Sequence, residues 1–157
     1  MIEDHQIKTL MLLHELEEAL GNMYVTFSRQ YPEHNVLWNR LIAEEQKHAE
    51  AVRSLYRLTY EGRVLFDEGA IKHAAVQSII DYIKNITESA HQKKYSEKQI
   101  LSHSLDIEKS LIERKLFDHF KVSSELADVL SALQEGSESH GSLVEKELAK
   151  IRNRPNP

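Results

Sequence analysis

The chain has no cysteine, an absence that removes disulfides, thiolate metal sites, iron–sulfur clusters and cysteine nucleophiles together. Any metal held here is held by imidazole and carboxylate. Proline and glycine are scarce: five glycines and three prolines interrupt 157 residues, and two of the prolines, Pro155 and Pro157, fall at the very end. Few breaks mean few loops. No segment approaches the roughly 18 apolar residues that a membrane span needs, and Met1 to His5 is acidic and leads into no signal-like apolar run. A soluble, cytoplasmic protein with no membrane partner is expected. The formal net charge of -5, with Lys and Arg scattered among Asp and Glu, leaves no basic stripe to follow phosphates, so nucleic acid is not an expected partner.

The apolar pattern is helical throughout. Ile7, Leu10, Leu13, Leu20, Tyr24 and Phe27 mark a first long helix that stops near Tyr31-Pro32, because proline cannot continue the preceding turn. A second helix is predicted from about Asn35 to Tyr60. After Glu61-Gly62 a less regular connection leads into an amphipathic stretch from about Glu68 to Lys93, carrying Ile71, Val76, Ile79, Ile80, Ile83 and Ile86. Ser96 with Gln99 three residues on is a capping-box signature. It opens a third long helix through Leu101, Leu105, Ile112 and Leu116 to about Phe120. The last helix starts near Ser123 or Ser124 and shows Leu126, Leu130, Leu133, Val144, Leu148 and Ile151 on one side, with Gly136 and Gly141 as weak points in its middle. No useful period-2 alternation argues for strands.

The expected fold is therefore all-α: one helical domain over residues 1–152 and a short disordered tail over 153–157. Two helical hairpins joined by a long crossover with its own helix is the connectivity of ferritin-like four-helix bundles. An ordinary up-down bundle with an extra helix fits the same pattern.

Polar residues interrupt each long stripe. In Glu45-Gln46-Lys47-His48 a carboxylate and an imidazole stand three positions apart, one above the other on a helix. Leu37, Trp38 and Leu41 before them and Val52 and Leu55 after them put that face toward the core. A buried carboxylate needs a partner or a metal. Glu17 lies on the line of Leu10, Leu13, Leu20 and Tyr24. Glu108 sits between Leu101 and Leu105 on one side and Ile112 and Leu116 on the other, and His140 falls seven residues after Leu133 and four before Val144. Three carboxylates and two imidazoles, drawn from four helices at comparable depth, form the donor set of a metal site in a bundle core.

Leu16-Glu17-Glu18-Ala19 with Tyr24 beyond it, Leu41 to Glu50 around the Glu45-x-x-His48 pair, and Leu105-Asp106-Ile107-Glu108-Lys109-Ser110 together resemble the ferritin-like domain of the rubrerythrin group, over nearly the whole chain. The resemblance implies a bundle holding two irons bridged by carboxylates, with peroxide or oxygen as co-substrate, in a homodimer. Carried over position by position, Glu17, Glu45, His48 and Glu108 match ligand positions and His140 matches the second histidine. Glu17 and Glu108 are the expected bridging candidates, with Glu45 and His48 on one metal and His140 on the other.

The chain departs from that pattern on its fourth helix. The family places a Glu one turn before the second histidine, where this chain has Ser137 and Gly136; Glu135 and Glu138 point roughly 140° and 160° away from His140 around a regular helix. Some rubrerythrins carry a further Glu where Leu111 stands, and the cysteines of a rubredoxin-like module are absent. Nitrogen and oxygen donors suit iron, manganese or zinc rather than calcium. The expectation is a metal-binding bundle, iron favoured, with oxidoreductase chemistry a further step. A bundle that has lost its site and serves as a structural or interaction module is the alternative, its five polar residues then forming a hydrogen-bonded network. His14 reads as a boundary histidine, and His5, His34, His73, His91, His103 and His119 as solvated surface positions.

Overall fold

A computed structural model describes residues 4–66, 71–110, 120–121 and 127–155, with backbone alone at 65–66, 120–121, 129–130 and 132–139. Helix α1 spans Asp4–Gln30 and buries Leu10, Leu13, Leu16, Leu20, Met23, Tyr24 and Phe27 along one stripe. The break falls where the proline requires it: a 3-10 turn over Pro32–His34 leads into α2, Asn35–Tyr60. Trp38 closes this hairpin. Its indole stacks on Tyr24 at 6.1 Å and meets Phe27 edge-on at 5.6 Å, while its Nε1 donates to the Tyr31 carbonyl at 3.1 Å. A buried indole with its N–H satisfied both fills and orients a core.

The crossover carries α3, His73–His91, which packs against α1 through Val76, Ile80, Ile83, Ile86 and Ala90. It begins later than the expected Glu68; residues 67–70 lie outside the described part. Helix α4, Glu97–Lys109, opens on the expected capping box. The Ser96 hydroxyl accepts from the Gln99 amide, and the Gln99 side chain accepts from the Ser96 amide at 2.8 Å. Ser96→Ala is expected to cost about 1 kcal/mol, a fall of roughly 2–4 °C in melting temperature, measurable by calorimetry. Expected to reach about Phe120, the helix ends before it: residues 111–119 lie outside the described part, and Phe120 itself is in a two-residue strand.

Helix α5, Ala127–Arg152, packs against α4 and α2. The described residues are thus mainly helical as expected, with one antiparallel pair among them, Leu65 with Lys121 and Phe66 with Phe120. Two residues are too few for alternation to show in a sequence. Asn153 and Arg154, assigned from sequence to the disordered tail, bond back to Ala149 and Ile151 through their amides. Among the described residues no helix is long and apolar enough to cross a membrane.

His34 corrects the sequence reading. Expected on the surface, it is 5 % exposed. Its Nδ1 lies 2.8 Å from Glu147 on α5 and its Nε2 2.6 Å from Glu97 at the start of α4. A ring bonded to carboxylate at both nitrogens donates from both only as the imidazolium. Arg154 adds a 3.1 Å contact to Glu97, and Lys150 a 2.6 Å contact to Glu147. Burial pushes the Glu97 and Glu147 carboxyls up, but hydrogen bonds from His34 with Arg154 and with Lys150 outweigh it and hold both below the usual value of 4.5. The turn of the first hairpin is thereby clasped to both helices of the second.

Candidate metal centre

The stripe positions of four helices converge. Glu17 from α1, Glu45 and His48 from α2, Glu108 from α4 and His140 from α5 are all buried, none more than 8 % exposed. His48 Nδ1 lies 3.4 Å from Glu17 Oε2 and 3.3 Å from Glu45 Oε2. His140 Nδ1 lies 3.5 Å from Glu108 Oε2 and 3.9 Å from Glu45 Oε1. The two imidazoles stand with their centroids 6.0 Å apart, 30° from coplanar.

Two triads result, Glu17–Glu45–His48 and Glu45–Glu108–His140, each with one donor atom per residue within 4.8 Å of the others. Glu45 belongs to both. Its Oε2 faces His48 and its Oε1 faces His140, so Glu45 is the residue common to both groups. Helical spacing alone does not distinguish these roles. They follow from where α5 brings His140 relative to α2.

Comparison of the chain with protein-family models, curated proteins and solved structures finds no match. The chemistry of the cluster must be argued from its own atoms.

Three carboxylates and two imidazoles share one dry volume. Carboxylates gathered out of water are costly to keep ionised unless a positive charge stands among them. His140 is fully buried, and among the described residues neither of its ring nitrogens makes a hydrogen bond. His140 Nδ1 stands 3.5 and 3.9 Å from its two facing carboxylates, beyond the range of about 2.7–3.2 Å for N–H···O bonds. This is a donor set that a small cation fits: it supplies the missing positive charge, and nitrogen and oxygen ligands together suit iron, manganese or zinc.

The site also has a positioning partner. The Tyr24 hydroxyl donates a short hydrogen bond to Glu108 Oε1, so the ring that sequence places in the core near the site holds one carboxylate of the second triad. Tyr24→Phe is expected to cost about 1.5 kcal/mol, the worth of a bond to a charged acceptor. Urea unfolding monitored through Trp38 would measure it.

His14 is half-buried and takes a 3.0 Å bond from Arg53 Nε while facing Glu18 at 3.7 Å, a boundary position as expected. His73 and His91 bond to Thr9 and Thr26 on α1, and His103 lies against the Tyr95 ring at 4.6 Å. The side chains of Glu135, Ser137 and Glu138 lie outside the described part, as do Leu111 and His119. A third group, Glu33, His34 and Glu97, has its imidazole already bonded at both nitrogens and belongs to the clasp.

Proposed function

We propose that the chain is a metal-binding helical bundle of the rubrerythrin-like, ferritin-like kind, holding two divalent transition-metal ions, iron foremost, between the two triads. The observation that supports this best is Glu45: one buried carboxylate whose two oxygens face two different Glu–His pairs. Glu17 and His48 would complete the first ion's protein ligands, Glu108 and His140 the second's. Three carboxylates suit two divalent ions when water or hydroxide completes the shells. A pair of irons so held supplies electrons to peroxide or oxygen when bound, and oxidoreductase activity is the reaction class proposed. The protein's part is to present both imidazoles beside the shared carboxylate and to fix Glu108 through Tyr24.

The structural-module alternative requires the same residues to satisfy one another by hydrogen bonds. The 3.5 and 3.9 Å separations at His140 do not favour it. Elemental mass spectrometry of protein purified without chelator and reconstituted with ferrous iron is expected to return about two irons per chain, one for each triad of a shared-carboxylate site. No retained iron, manganese or zinc would remove the reading. Retained metal without peroxide or oxygen consumption would leave a binding protein and remove the oxidoreductase part.

A further inference from the structure

The buried cluster lies against one wall of the bundle. A groove of about 500 Å³ runs along the α1–α2 pair, lined among the described residues by those two helices, and Glu17 and Glu45 form part of its lining. Both are 1 % exposed, so the groove ends on the two carboxylate residues of the first triad. Gly21 lines the same stretch one turn after Glu17. A Cβ built on Gly21 would stand 3.7 Å from the Glu45 Cβ, so anything longer would project over Glu45. Ala49, one turn after Glu45 on the opposite bank, is also small.

The rim carries charge. Glu18 and Glu50 are exposed along it, and Arg53 stands at one end, engaged with His14. Together with the floor this makes a concave surface with four carboxylates to one guanidinium. Such clefts concentrate cations and raise their arrival rate. A divalent ion with its six waters occupies about 200 Å³ at roughly 30 Å³ per water, well within the groove. Beyond the groove's lining, Glu45 Oε1 faces His140 Nδ1 at 3.9 Å, a buried imidazole that is not hydrogen-bonded among the described residues. Two other depressions, one beside Met11 and Tyr56 and one between α3 and α4, touch none of the five cluster residues.

We propose that the α1–α2 groove is the route by which an aqueous divalent cation reaches the buried triads, kept open at its floor by Gly21 and made attractive by Glu18 and Glu50. This rests on the metal-binding reading above. Glu17 is then the first carboxylate to meet the ion, and Glu45 the one that carries it inward toward His140. The route makes rate and capacity separable: residues at the groove set how fast metal enters, and residues of the triads set how much is held.

The test is stopped-flow uptake of cobalt(II) chloride by the metal-free full-length protein, followed by visible absorption, with the final stoichiometry measured on the same samples. Gly21→Leu is expected to slow uptake at least about tenfold while the final stoichiometry stays that of the wild type. The double variant Glu18→Gln/Glu50→Gln is expected to slow it about three- to tenfold at low salt, a difference that disappears near 0.5 M salt as screening shortens the reach of the rim charges. Should Gly21→Leu unfold or hold less cobalt, the exposed charge pair decides by itself. Full cobalt binding with unaltered rates in the charge variant and in any folded Gly21→Leu protein overturns the route and leaves the metal site standing. No cobalt uptake by the wild type overturns both.

Discussion

Glu45→Gln is expected to abolish binding of both metal ions at once and, in the presence of chelator, to raise the melting temperature. The two effects have opposite signs because they come from the same charge. With metal present at about a hundredfold over its dissociation constant, the wild type gains about 2.7 kcal/mol from binding that the unfolded chain does not share. That corresponds to a rise of roughly 5–10 °C for a chain of this size. Glu45 contributes one oxygen toward each histidine, so its amide replacement weakens both halves and the rise disappears. Without metal, the wild type buries Glu17, Glu45 and Glu108 together. Neutralising one of them is expected to stabilise the metal-free protein by about 1–2 kcal/mol, in line with the general finding that buried charge is often a net cost.

A hydrogen-bonded structural network predicts the reverse in chelator, because Glu45→Gln would break contacts on both sides and lower the melting temperature. Scanning calorimetry with chelator and then with cobalt(II) therefore separates the two readings by sign. His48→Ala and His140→Ala, each of which touches one triad, are expected to keep one ion each. Loss of both ions from either variant would contradict the division into two triads.

His34→Ala is expected to cost about 3 kcal/mol, a fall of roughly 6–12 °C. The substitution removes two charge-assisted bonds and leaves two partly buried carboxylates facing a void, although Arg154 and Lys150 remain to share them. The pH dependence follows from the direction of the carboxyl shifts. Glu97 and Glu147 titrate below the usual 4.5 in the folded protein, so their contribution is present above the unfolded value and is lost as pH falls through the folded one. The gap between wild type and His34→Ala should accordingly be full above the unfolded value of about 4.5 and shrink as pH falls through the lower folded values. A gap that persists undiminished in strong acid would show that His34 stabilises by packing alone.

The clasp marks where the sequence was mute. Glu17, Glu45, His48, Glu108 and His140 were legible because each interrupts an apolar stripe, and a carboxylate or imidazole at a core position of a long helix stands out against leucine. The end of α1 at Pro32 and the Ser96 cap were legible for equally local reasons. His34 stands in a three-residue turn, where no period exists to be interrupted, and its partners Glu97 and Glu147 look like ordinary exposed charges on their own helices. Only tertiary packing brings them to one point. The same holds for Glu45: its membership of the cluster is written in its spacing from Leu41 and Val52, but its division between two histidines depends on how α2 and α5 lie against each other. The Leu65–Lys121 pairing was beyond reach because two residues carry no pattern.

The clasp also bears on time. His34 is separated from Glu97 by 63 residues and from Glu147 by 113, so both bonds can form only after the two hairpins have folded and met. Contacts of such long range that join preassembled parts form after the folding barrier and contribute little to its height from the unfolded side. Their loss is then felt almost entirely as faster unfolding. In a chevron plot His34→Ala should raise the unfolding limb by about two orders of magnitude for 3 kcal/mol while leaving the refolding limb nearly in place. The imidazole in the turn thus sets the lifetime of the folded chain, and with it how long any metal carried in its core stays enclosed.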